Sequence, residues 1–266
     1  MKKKKKEKKI LYQLIFSAFL LFSNAYLVKA NSDILSQDST GKYCINTEQD
    51  YYNFIENIQN YNNKTVILCN DIDISDVPEA TSSFGGILNG KGHTITYASK
   101  EAKENIAVFP FRINDNGIVE NINVQIDESY AYNSETDEFQ TVFSQCDGIA
   151  KGITIKGNVT CIYDDEDEDV SIGAIEGNGT LMDSSIAITY DLQSEKTIEE
   201  IAEDIVENDL EFEFCQLGTT YTGITYQNCI GYGQYSEAIK SLADELEPKI
   251  EDDTWGSLYA SFTRKS

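Results

Sequence analysis

Gly86, Gly117, Gly148 and Gly179 stand 31 residues apart, and each opens a related string: GILNG, GIVEN, GIAKG and GTLMD. Four positions after each comes a turn-former, Gly90, Asn121, Gly152 or Asp183. Alternating apolar residues follow, as in Ile122/Val124/Ile126, Ile153/Ile155 and Ile186/Ile188. Glycine at this frequency breaks helices and weakens ordinary strands. A fixed period of this length marks a unit that buries its apolar side by stacking on the next copy. With period-2 strands and Gly or Asn at constant offsets, the unit fits one turn of a parallel β-helix, each strand about 4.8 Å from its counterpart. The expected fold class is all-β, with about five to six coils.

Gly and Asn then belong at corners that need left-handed dihedrals. The expected structural corners are Gly86, Gly90, His93, Gly117, Asn121, Gly148, Gly152, Gly179 and Asp183. A fifth copy begins at Gly223-Ile224-Thr225-Tyr226, and an inserted helix takes up the extra length before it.

A stack of strands must hide its open ends. Thr47 starts a capping-box-like T-E-Q-D, and Tyr51, Phe54, Ile55 and Ile58 follow at helical spacing, predicting a helix over 47–60. The inserted helix, 197–207, has its own box at Thr197 and Glu200 and an apolar stripe at Ile198, Ile201, Ala202 and Ile205. A C-terminal helix follows Ser236, with Ile239, Leu242, Ala243 and Leu246 on one side and Pro248 ending it. The expected organisation is a signal peptide over 1–30, an N-terminal cap over 31–70, coils over 71–235, and a C-terminal helix and tail over 236–266.

The signal peptide is read from MKKKKKEKK, the thirteen-residue apolar run Ile10–Phe22 and the small residue Ala30. That run is too short to cross a bilayer comfortably, and no later segment is long and apolar enough. A secreted chain is expected, released or held at the cell surface. Residues 1–30 hold eight Lys and one Glu, so their removal takes the formal charge from −24 to −31. Nucleic acid and anionic lipid need cationic patches and are excluded as partners. The six cysteines form no CxxC pair, and one histidine cannot complete a Cys/His zinc site. Export with an even count favours disulfides, with buried free thiols as the other reading. A Cys44–Cys69 bridge is expected, since it would staple the N-terminal helix to the strand before NDIDIS.

The stretch YCINTEQDYYNFIENIQNYNNKTVILCNDIDIS resembles the opening of many bacterial secreted and surface β-helix proteins. FGGILNGKGHTI is similar to the segment that follows in them, and VSIGAIEGNGTLMDSSIAI resembles GLUG-type repeats. The resemblance implies a right-handed parallel β-helix of the pectin-lyase-like superfamily, a fold common among adhesins. It covers residues 43–126 well and 140–190 loosely. Fold does not fix function, so lyase activity is not implied.

The residues offer little catalytic chemistry. His93 lies within the matched N-G-K-G-H-T-I and is read as a corner residue. Pectate-lyase chemistry needs a base, usually Arg, beside calcium-binding carboxylates, and the mature chain has only Arg112 and Arg264. Asp71 and Asp73 alternate in NDIDIS and are read as turn residues rather than a hydrolytic pair. No GxSxG, P-loop or HExxH occurs.

The lengthened connections Tyr97–Asn105, Asp127–Gln140, Asp164–Asp169 and Asp191–Glu213 all follow the same strand of the repeat. They share one edge, where recognition on a rigid solenoid is expected. The expected binding residues are Tyr130, Tyr132, Asp137 and Glu138, with the acidic run Asp164, Asp165, Glu166, Asp167, Glu168 and Asp169. Such a run can offer oxygens to Ca²⁺, but the spacing matches no EF-hand or nonapeptide repeat, and a solvated loop is the plainer reading. No other cofactor is expected. The function expected is non-enzymatic binding or adhesion to an extracellular protein or glycan; the alternative is a polysaccharide lyase or glycoside hydrolase.

Overall fold

The computed structural model describes residues 35–75, 77–78, 80, 82–98, 108–131, 139–162, 170–175, 177–207, 212–215, 225–231, 234–235, 237–250 and 259–261. The signal segment lies outside them. The first circuit runs through β1 (Tyr43–Ile45), α1 (Glu48–Glu56), a 3₁₀ turn at Ile58–Tyr61, β2 (Thr65–Leu68) and β3 (Ile72–Ile74). β4 (Ile87–Asn89), β5 (Thr94–Tyr97) and β6 (Phe109–Ile113) make the next, then β7 (Ile118–Glu120), β8 (Asn123–Ala131) and β9 (Phe139–Cys146). A further circuit holds β10 (Ile149–Lys151), β11 (Thr154–Ile162) and β12 (Val170–Ile175). In the following one, β13 (Thr180–Met182) and β14 (Ser185–Gln193) lead through α2 (Ile198–Glu207) to β15 (Phe212–Cys215). The chain ends in β16 (Thr225–Gln227), β17 (Ile230–Gly231), β18 (Gln234–Tyr235), α3 (Glu237–Ile250) and β19 (Tyr259–Ser261).

These strands form three parallel sheets. The first takes β1-β2-β4-β7-β10-β13-β16, the second β3-β5-β8-β11-β14-β17, with β18 also on β14, and the third β6-β9-β12-β15-β19. In the first sheet and along most of the second, equivalent residues of successive circuits pair in register, so like stacks on like; register shifts interrupt β8–β11, β6–β9 and β9–β12. Leu88, Val119, Ala150 and Leu181 form one fully buried row, and Ile95, Val124, Ile155 and Ile186 another. In the third sheet the Phe109 and Phe143 rings stack with centroids 4.6 Å apart.

The all-β class is corrected. Among the described residues three α-helices accompany the parallel sheets, a helix-and-sheet mixture rather than an all-β right-handed parallel β-helix. The amphipathic stripes explain the departure. Tyr51, Phe54 and Ile55 of α1 are fully buried, and the Phe54 ring meets Phe84 and Phe111 edge-on. The Tyr51 hydroxyl donates to the Val108 carbonyl at 2.6 Å. Ile201, Ala202 and Ile205 bury one side of α2, which packs on α3. These helices belong to the core and are not appendages to it.

The cap chemistry follows the sequence with two differences. Thr197 and Glu200 exchange both capping bonds, the Thr197 N–H donating to Oε2 at 2.7 Å and the Glu200 N–H to Oγ1 at 3.3 Å. Thr47 Oγ1 accepts the Asp50 N–H, but Asp50 Oδ2 reaches past Thr47 to the Asn46 N–H at 3.0 Å. Helix α3 runs to Ile250, past Pro248, where a stop was expected. Cys44 and Cys69 form the expected disulfide, with Cα atoms 5.9 Å apart, and it is compatible with an oxidising compartment.

The corners are corrected in detail. None of Gly86, Gly117, Gly148 and Gly179 takes a left-handed φ. Their backbones instead pass too close for a side chain. A Cβ on Gly148 would collide with the Gly117 and Asn114 carbonyls, and one on Gly179 with the Gly148 carbonyl. Each glycine carbonyl accepts the N–H one circuit on, from Ile118, Ile149, Thr180 and Thr225, at 2.8 to 3.0 Å. The left-handed positions lie four residues later, at Asn121 (φ 55), Gly152 (φ 61) and Asp183 (φ 47). Gly90 is not among them. Residues 90–93 join β4 to β5 where only 121–122 join β7 to β8, so the turn falls on Lys91 and Gly92. The fifth copy is one residue out of step with the Gly223 alignment: Thr225 pairs with Thr180, which puts Asn228 (φ 52) at the corner.

Candidate functional site

Two adjoining regions of the second sheet carry the polar chemistry. Its inward residues are Ile95, Val124, Ile155 and Ile186, so their neighbours in sequence face outward. One outward row is Thr94, Asn123, Thr154 and Ser185; the next is Asp73, Thr96, Gln125 and Lys156. Hydroxyls, amides, one carboxylate and one ammonium thus repeat about 4.8 Å apart on the outer face of a parallel sheet. The Asn123 amide donates to the Gly92 carbonyl at 2.7 Å, and the Gln125 amide to Asp127 Oδ1 at 2.9 Å.

At the start of these rows, His93 Nδ1 lies 3.0 Å from Asp71 Oδ1. The same oxygen accepts the Thr94 N–H at 2.9 Å. The His93 backbone belongs to the corner itself: its N–H donates to Gly90 and its carbonyl accepts from Asn123. The Thr94 N–H first, and His93 second, hold the Asp71 carboxyl below the usual carboxylate range. A depressed carboxyl adds stability above its unfolded value near 4 and loses it as pH falls through the folded value. Both side chains are open to water, so the effect is small. His93→Ala is expected to lower the melting temperature by about 2 °C or less and to flatten its decline below about pH 4. Melting curves of both proteins between neutral and acid pH check this; an unchanged profile would show that the pair contributes nothing.

The second region is the edge at the C-terminal ends of β5, β8, β11 and β14. Every lengthened connection leaves the second sheet there and enters the third at β6, β9, β12 and β15. Of the expected binding residues, Tyr130 lies in β8. Tyr132, Asp137, Glu138 and 164–169 lie outside the described residues. The nine-residue strands β8, β11 and β14 flank those segments and pair along most of their length.

Arg112 and two buried free thiols lie elsewhere. Arg112 Nε donates to Asp147 Oδ2, whose carboxyl is 5% exposed and also accepts the Asn178 N–H at 3.1 Å. Among the described residues this is the carboxylate that Arg112 meets. Burial pushes the Cys146 and Cys161 thiols up to about 12, so neither is a nucleophile near neutral pH. Among the described residues no group of three or more His, Cys, Asp or Glu could hold a metal ion. None of the described helices is long and apolar enough to cross a membrane.

The Asp71 contact, 22 residues from His93, leaves no mark in the 31-residue period. Nor does the Arg112–Asp147 pair, 35 residues apart. The outward rows were legible, since N-I-N-V-Q and T-I-K alternate as strands do. No protein-family model, curated protein or solved structure matches the chain.

Proposed function

We propose that this chain is an exported, non-enzymatic binding protein that engages a neutral glycan or an extracellular protein at the cell envelope or in the medium. One observation carries the reading: four successive insertions leave the ends of neighbouring strands in the same sheet. A rigid stack whose insertions recur at one edge is how solenoid proteins build recognition surfaces. The polar rows beside that edge add hydrogen-bonding groups suited to sugar hydroxyls or a peptide backbone. A net charge of −24 repels acidic polymers, which favours neutral or basic partners. The pectin-lyase-like resemblance rests on its motifs and is proposed on that basis alone.

The test is a binding screen of the secreted protein against neutral glycans and surface proteins, repeated with two variant sets. Gln125→Ala with Lys156→Ala removes outward groups from the sheet. Asn and Gln in place of 164–169 neutralise the acidic run. At least a tenfold loss of affinity in one set, with melting unchanged, is the expected result. For a cationic partner, binding should also weaken as salt rises. A protein that cleaves a glycan, or a ligand indifferent to both sets, would overturn the reading.

A further inference from the structure

The outer face of the first sheet sets an apolar row beside a charged one. Its strands are three or four residues long, and the middle row points inward. One outward row is a stack of three part-exposed isoleucines, Ile87, Ile118 and Ile149, with Thr65 before it and Thr180 after it. None of the three belongs to the core cluster. The adjoining row runs Asn89, Glu120, Lys151 and Met182. Across both rows there is one Glu and one Lys, a net of zero, on a chain whose total is −24.

Glu120 and Lys151 are register neighbours, yet they do not pair. Glu120 turns the other way and accepts from the Asn89 amide at 2.6 Å, leaving Lys151 without an ion pair among the described residues. We infer that this face binds a second copy of the same chain about a two-fold axis. The geometry selects the axis. A two-fold line parallel to the strands, between β7 and β10, reverses the order of strands and keeps the position along each strand. It sets Ile118 on the partner's Ile149, and Glu120 on the partner's Lys151, each contact occurring twice. The interface thus matches apolar row to apolar row and charge to opposite charge, as a self-complementary two-fold contact requires. It is also small, so a weak, reversible dimer results.

The net charge opposes the contact at long range, while the apolar rows favour it at short range. Salt should therefore strengthen association by screening the repulsion, the opposite of its effect on a charge-driven partner. Sedimentation equilibrium of the secreted protein from about 20 to 500 mM NaCl should show a dimer fraction that rises with salt. Ile118→Thr with Ile149→Thr, a residue the same row already holds at Thr65 and Thr180, should weaken association at least about tenfold. Glu120→Lys and Lys151→Glu should each abolish self-association, and an equimolar mixture of the two should restore it as a heterodimer. A wild-type chain that stays monomeric throughout, a dimer indifferent to the threonine pair, or charge variants that associate no better mixed than alone would each overturn the proposal.

Discussion

Gly148→Ala is expected to destabilise the fold by about 3 kcal/mol, near the upper end of overpacking costs. For a chain of this size that lowers the melting temperature by roughly 10 °C. The added methyl meets the Gly117 and Asn114 carbonyl oxygens, which are backbone atoms fixed by the sheet ladder. They cannot turn aside as a side chain can. Relief would require the two circuits to separate locally, at the cost of the Ile149 N–H to Gly117 bond and its neighbours. Gly41→Ala is the control. Gly41 has φ +80 and open space around its Cβ position, so it carries only conformational strain, worth about 1 kcal/mol. Urea and thermal melts of both variants decide the matter. Equal, small losses would mean that close approach is not what requires glycine at this position of the repeat.

Replacing Cys44 and Cys69 together by alanine should cost about 3 kcal/mol, from the loop entropy returned to the unfolded chain. The bridge spans 25 positions and encloses α1 and β2. Its loss therefore falls on the end of the stack that α1 closes. We expect the N-terminal segment to become sensitive to proteolysis before the later circuits unfold. Peptide mapping without reductant should find the two cysteines linked in the secreted protein. Finding both as free thiols, or a double variant as stable as the parent, would remove the bridge from the account of stability.

The 31-residue period, the strands within it and three helices, two of them with capping signals, could be read directly, because each is set by local chemistry that recurs at known spacing. The class label could not. Three short amphipathic stripes look peripheral in a sequence, yet Tyr51, Phe54, Ile201 and Leu242 are as buried as the strand residues. Whether such a helix is a cap or part of the core depends on what it packs against.

Glycine illustrates the division most clearly. Sequence determined that positions 86, 117, 148 and 179 had to be glycine-like, and that turns lay four residues beyond. It could not determine why. Left-handed φ and close backbone approach both select for a missing side chain, and only the stacked circuits show that the second operates here. Likewise, Gly90 matched the period, but two extra residues moved the left-handed turn to Lys91 and Gly92. The pairing of His93 with Asp71, the burial of Asp147 beneath Arg112 and the alignment of Ile87, Ile118 and Ile149 share one cause. Each depends on which circuits lie side by side. Local chemistry specifies strands and turns, whereas contacts across circuits exist only once the chain has closed on itself.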